Sequence, residues 1–155
     1  MSTDGFRDGT LLNSRFLFEV DGVEIGIFSE VSGLELSVDV VTYEEGGENG
    51  YVHKLPGRMK WPNIVLSRGI TDSDALFEWV RKSSGDDFAA NGNKLTRCTG
   101  AITVMGTTGD ERLRAWELAD AFAVRWTGPR LEVGGNDHLK EELEIAHQGF
   151  RSKSF

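Results

Sequence analysis

Between Arg15 and Phe28, apolar residues fall on every second position on either side of an Asp-Gly pair, which leaves the chain few options. In RFLFEV, Phe16, Phe18 and Val20 alternate with Arg15, Leu17 and Glu19, and in VEIGIF, Val23, Ile25 and Ile27 repeat the period. A period of two places side chains on one face of a pleated strand, whereas a helix would scatter them. Asp21-Gly22 is a favoured pair for a two-residue type I′ turn, so the segment reads as an antiparallel hairpin. After Ser32-Gly33 the period resumes, with Leu34, Leu36, Val38 and Val40 on one face and Glu35, Ser37 and Asp39 on the other. It returns at Lys60–Arg68, where Pro62 marks an edge or a bulge at the start of the strand.

One segment breaks from this pattern. In TDSDALFEWVRKSSG, Thr71 or Ser73 can cap a helix, Asp72 and Asp74 lie at its positive end, and Arg81 and Lys82 at its negative end. Gly85 stops it. A helix over about residues 72–84 therefore presents Leu76, Phe77 and Val80 as the stripe that lies on a sheet. A polar stretch follows from Gly85 to Lys94, with Asn91-Gly92 as a turn. Leu95–Met105 then reads as a strand closed by a turn at Gly109-Asp110. In Arg112–Trp126, the residues Trp116, Leu118, Phe122, Val124 and Trp126 all fall on even positions. Asp120 interrupts that face, and a bulge near Ala119-Asp120 is expected to divide the strand. On this reading Val124 and Phe122 are core residues, as are Trp79, Trp116 and Trp126, while Trp61 fits a core or an interface equally. His138–Phe150 is ambiguous, because LKEELEIA favours helix by propensity while Glu141, Leu143, Ile145 and His147 alternate.

The chain is thus mainly β with one helix, and its 155 residues suit a single domain, 1–155, with a self-sufficient core. Residues 1–13 are small and polar and read as a flexible N-terminal arm. Four tryptophans, nine phenylalanines and 39% hydrophobic residues argue for a folded chain. A formal charge of −8 argues against sequence-specific or phosphate-backbone binding to nucleic acid, which needs clustered cations. The first residues lack a charged-then-apolar signal pattern and no run approaches a membrane span, so synthesis in the cytoplasm without membrane insertion is expected.

Motifs that carry chemistry are missing from this sequence. The single Cys98 excludes an internal disulfide and any cysteine-based zinc cluster, and its place in a strand-like run suggests an inert thiol. His53, His138 and His147 lie far apart, and His138 beside Glu141 and Glu142 is best read as solvated charge rather than a metal site. Neither a nucleophile elbow nor a phosphate-binding glycine loop is present, so no catalytic, cofactor or metal site is expected and the chain is not read as an enzyme. What remains is YEEGGENGYVHKLPG, Tyr43–Gly57, with four glycines and three glutamates between strand-like runs. Loops of that length in compact domains are functional or disordered.

The order of RFLFEVDGVE, FSEVSGLE, YEEGGENG with KLPG, IVLSRGITDSDALFEWV, FAVRWTGP and ELEIAHQGF resembles the tail tube proteins of contractile phage tails and of phage-tail-like contractile injection systems. The resemblance covers about residues 14–150, and Asn91–Glu111 follows it least. It implies two packed antiparallel sheets forming a small barrel with one flanking helix, and a strand at Leu143–His147. It also implies a structural subunit of an inner tube: homohexameric rings, stacked around a channel for DNA or effector cargo. The implied partners are further copies of the chain, a contractile sheath protein, a baseplate or spike hub and tube-terminating proteins. The implied setting is an assembled phage tail or injection particle, made in the bacterial cytoplasm and cytoplasmic or released. On this reading Tyr43–Gly57 is an extended inter-subunit loop, with Glu44, Glu45, Glu48, Tyr51, His53, Lys54, Leu55 and Arg58 as interface candidates. The alternatives are a type VI secretion tube-like ring protein, which shares the fold, and a monomeric β-barrel binding module.

Overall fold

A computed structural model of the chain describes residues 15–44, 46–47, 50, 52–83, 98–106, 111–135 and 139–155. The hairpin expected from the opening alternation is β1 (Arg15–Val20) and β2 (Val23–Phe28). Asp21 and Gly22 both have positive φ, 50° and 80°, as a type I′ turn requires. The following elements are β3 (Glu30–Ser32), β4 (Ser37–Tyr43), β5 (His53–Lys60), β6 (Ile64–Gly69) and α1 (Ala75–Ser83). After the helix come β7 (Cys98–Met105), β8 (Arg112–Thr127), β9 (Lys140–Ala146) and β10 (Phe150–Ser154). The ambiguous segment after residue 138 is strand, because Leu143 and Ile145 pair with Leu66 and Ile64 of β6 and bury there. Tertiary pairing overrides the helical propensity of LKEELEIA. Lys60 ends β5 rather than opening β6, and Trp61-Pro62-Asn63 joins the two strands. Residues 1–13, Gly85, Asn91-Gly92, Gly109-Asp110 and His138 lie outside the described residues.

Eight strands form one antiparallel sheet in the order β2-β1-β7-β8-β9-β6-β3, with β10 also paired to β8. The sixteen-residue β8 belongs to two layers. Its first half pairs with β7 and β10, and its second half with β9. Phe18, Ile102 and Leu118 from one layer meet Ile64, Leu66, Leu143 and Ile145 from the other in a single core, with Leu76 and Trp79 of α1 laid over it. The helix stripe differs from the expected one. Leu76 and Trp79 are buried, whereas Phe77 is exposed at its edge and meets Trp126 edge to face, ring centres 5.4 Å apart.

The expected bulge is present, and it reverses the face of the residues that follow it as far as Ala123. Asp120 adopts φ 49°, and the ladder skips a residue of β8 between Leu118, opposite Gly100, and Ala121, opposite Cys98. The buried positions therefore change from Leu118 to Ala121 and Ala123. A second slip at Val124, between Ala123 and Arg125, brings Trp126 back to the inner side. Val124 is 48% exposed and Phe122 only half-buried, so reading both as core residues is corrected by a backbone event of one residue.

The two layers do not close into a barrel. Only Ser29 separates β2 from β3, and its amide donates to the Ser67 carbonyl at 3.0 Å where the chain turns from one layer into the other. No ladder joins β2 to β6. The Arg68 side chain packs there over the Phe28 ring, 5.0 Å from its centre, and against Gly26, where any side chain would collide with the guanidinium. Arg68 Nε donates to Glu141 Oε1 at 2.5 Å, and Trp126 Nε1 donates to Glu141 Oε2 at 3.2 Å. Both charged groups are buried, so they persist as a pair or not at all.

Candidate assembly surface

β4 and β5 form a separate two-stranded ribbon. Every residue of β4 is exposed, and so is every residue of β5 except the half-buried His53. A ribbon with no packed face is barely stable by itself in water. Its roots explain how this one is held. Gly33, at φ 87°, lies so close to the Asn63 carbonyl that a side chain there would overlap it. At the other root, Trp61 packs on Phe150 (ring centres 5.0 Å apart) and on His147 (6.1 Å). The His147 ring is buried between Pro62 and Gly149. It accepts from the Gly149 amide through Nδ1 at 3.1 Å, which leaves Nε2 to donate to the Pro62 carbonyl at 3.0 Å. Gly149 has φ 122°, and a side chain there would come within 3.2 Å of the Trp61 ring. Trp61 is therefore a half-buried anchor at the edge of the body.

The ribbon register pairs Ser37 with Lys60, Val38 with Met59, Val40 with Pro56, Val41 with Leu55, Thr42 with Lys54 and Tyr43 with His53. Between the second and third pairs β4 advances two residues and β5 three, so Gly57 and Arg58 form a bulge opposite Asp39. Pro56, which lacks an amide donor, is tolerated because both strands of a ribbon are edges. Lys60 Nζ reaches Asp39 Oδ1 at 2.9 Å, an exposed pair that contributes little to stability.

The interface candidates are distributed along this ribbon. Lys54, Leu55 and Arg58 are exposed strand residues, His53 starts β5, and Glu44 follows β4 in an exposed position. Glu45, Glu48 and Tyr51 lie outside the described residues. Since His53–Lys60 is strand, the connection between paired strands shrinks from Tyr43–Gly57 to residues 44–52. The interface candidates leave out Val38, Val40, Val41 and Met59, which are 41–60% exposed. A usable signal was the adjacent pair Val40-Val41, which places an apolar side chain on each face of one strand.

Other surface features are weaker. A groove of about 330 Å³ runs between α1 and β2, lined by Val20, Val23, Ile25, Trp79 and Cys98. Partial burial, and then the Asp21 carboxylate, push the Cys98 thiol above its ordinary value, which is the opposite of activation. Among the described residues no group of three or more His, Cys, Asp or Glu is placed to hold a metal ion, and no helix is long and apolar enough to cross a membrane.

A profile of the T4-like virus tail tube protein gp19 family matches residues 12–151. No curated protein sequence matches the chain. Among solved structures, a chain of the sheath-tube complex of an extracellular contractile injection system, PVC, in its extended state is 24% identical. The match covers 100% of this chain and 99% of that one, with a TM-score of 0.76. A chain of the PVC sheath/tube terminator is 27% identical over 90% of this chain and 94% of that one, with a TM-score of 0.72. Hcp1 from Flavobacterium johnsoniae is more distant, at 16% identity and TM-score 0.50 over 91% and 96% of the two chains.

Proposed function

Because the chain belongs to the T4-like virus tail tube protein family, we propose that it builds the inner tube of a contractile injection particle, as stacked homohexameric rings around a channel. The carrying observation is the β4–β5 ribbon, which exposes apolar side chains on both faces and has no packed layer of its own. Such a ribbon is explained if further copies of the chain cover it. Strand edges that have no partner among the described residues, at β2, β3 and β10, are likewise explained by assembly, since open edges otherwise invite unselective pairing. A head-to-tail contact between rings does not close, so it propagates as a tube.

On this reading the protein is structural rather than catalytic. The sheath supplies force, and the tube passes DNA or effector cargo. Its partners are the sheath, a baseplate or spike hub and a terminator. An acidic chain suits a conduit for acidic cargo, because like charges limit adhesion. Glu44, Glu45, Glu48, Tyr51, His53, Lys54, Leu55 and Arg58 then serve as ring and subunit contacts. The test is light scattering after size exclusion over a concentration series, with negative-stain images of the same fractions. Rings of six or tubes are expected from the full chain. After deletion of Gly46–Tyr51, a folded subunit whose rings no longer stack is expected. Normal tubes from the deletion variant would remove the loop from the interface.

A further inference from the structure

Arg68 is held on three sides and unsatisfied on a fourth. Its guanidinium lies over the Phe28 ring and fills the space that a side chain at Gly26 would need. Its Nε donates to Glu141 Oε1. Its Nη2 is buried and has no hydrogen-bond partner among the described residues. Leaving a buried donor unpaired is costly, and such groups are rare in folded proteins. The same arginine lines an open pocket of about 570 Å³, at the seam where no ladder joins β2 to β6. Arg15 lines it too, exposed, and makes no ion pair with a described residue. Thr71 is a third polar group of the lining. Its Oγ1 accepts from the Ser73 amide at 3.4 Å, which leaves the hydroxyl proton to donate. Asp72 and Asp74 follow Thr71 in the chain but do not line the pocket, and no other carboxylate does. The chain has 25 acidic residues against 17 Lys and Arg, so a pocket with two arginines and no acid reverses the prevailing charge.

We infer that this seam is a binding site for a small oxyanion, a carboxylate or a group the size of phosphate. Arg15 supplies the unneutralised charge, and Arg68 Nη2 and the Thr71 hydroxyl supply donors. A guanidinium suits such a ligand because its N–H groups form a planar fork that matches two oxygens. Phe28, Gly26 and Glu141 already fix the plane of Arg68, so little freedom is lost when a ligand binds. Nη2 lies beneath the pocket surface, closed to bulk water. With no ladder between β2 and β6, a small outward shift of the β2 edge uncovers it, and the hydrogen bond gained there offsets the shift. Two sources offer this chemistry, an anion dissolved in the medium and a carboxylate on another copy of the chain.

Changing Arg68 would strand Glu141 in the core, so the test uses Arg15→Gln in the full chain, at an exposed position. Melting of the dilute subunit is followed against inorganic phosphate, with ionic strength held constant by sodium chloride. Wild type is expected to gain about 3–6 °C at tenfold over the dissociation constant, along a curve that saturates. Arg15→Gln is expected to melt like wild type without phosphate and to bind it about tenfold more weakly, the size of one charged hydrogen bond. A gain that never saturates, or one that is equal in the two proteins, overturns the site. Sedimentation over a concentration series then separates the sources. If phosphate and Arg15→Gln each raise the onset of ring formation, and phosphate adds nothing to the variant, the site takes a carboxylate of another copy. If assembly ignores both while the subunit binds phosphate, the site takes a dissolved anion. Wild type that forms no rings would count against the tube reading above, and the melting curves would still decide this site.

Discussion

Paired substitutions at neighbouring positions of β8 test the face reversal at Asp120. Ala123 is 4% exposed and pairs with the fully buried Ile145, whereas Val124 is 48% exposed in the slip that follows. If the strand alternated evenly from Trp116 to Trp126, Val124 would be the buried one. In Ala123→Asp the new carboxyl enters the core without a partner. Burial raises such a group by up to about 3–5 pH units, and because the unfolded carboxyl titrates near 4 the linked cost at pH 7 is about 4 kcal/mol. Overpacking adds about 1–3 kcal/mol. The sum, about 5–7 kcal/mol, matches the lower part of the roughly 5–15 kcal/mol holding a domain together. Val124→Asp instead loses about half of a valine side chain's burial, roughly 1 kcal/mol, plus up to about 1 kcal/mol of strand preference. The difference is about 3 kcal/mol or more, which for a domain of this size is about 6–12 °C in melting temperature. Tryptophan fluorescence during heating at pH 7 reads it on the dilute subunit. The pH dependence provides a second check. The buried acid is raised in the folded state, so its penalty fades as pH falls toward the unfolded carboxyl's value near 4, and reaches its full size only above the folded value. The Val124→Asp variant should lack that recovery. Equal destabilisation by the two variants, or greater loss in Val124→Asp, would refute the reversal.

Glu141→Leu strands the buried Arg68 cation and the Trp126 indole donor, and should cost about 3–5 kcal/mol in urea unfolding. Adding Arg68→Met should restore much of that loss. Gly149→Ala, which places a methyl group against Trp61 at φ 122°, should cost about 1–3 kcal/mol and alter the near-UV dichroism, whereas Gly22→Ala, with open space around it, should be milder and leave the spectrum unchanged. Because burial and Asp21 raise its thiol, Cys98 should alkylate more slowly than free cysteine at pH 8, with the difference vanishing in urea. Faster alkylation would contradict the described environment.

Most of the fold was legible where the chain buries one face. The Arg15–Phe28 hairpin carries both alternation and turn chemistry, and the helix carries caps and charge placement. Two features were not legible, for different reasons. The reversal in β8 depends on a positive φ at Asp120, and no side-chain pattern reports it, because Phe122, Val124 and Trp126 continue the even series as if nothing had happened. In the β4–β5 ribbon, which buries neither face within the subunit, β4 still showed its period, but HKLPGRMK of β5 shows none and reads as loop. The interface candidates followed from the family resemblance of Tyr43–Gly57, while Val38 and Val40 were read as one face of a strand and Val41 and Met59 were not singled out, because apolar residues in a strand are usually assigned to the subunit's own core.

The two roots of the ribbon meet at Asn63 and Trp61, one strand step from Ile64 in the middle of the fold. The arm is thus a stiff cantilever rather than a tether, wedged at one side by Gly33 against Asn63 and at the other by Trp61 against Phe150 and His147. A pull on its tip would enter the body through these packed roots, at β6 and at Phe150 of β10. In an assembly of such subunits, thrust and torque entering one layer would reach the next through bent strands rather than through straightening loops, and the whole would respond as an elastic solid.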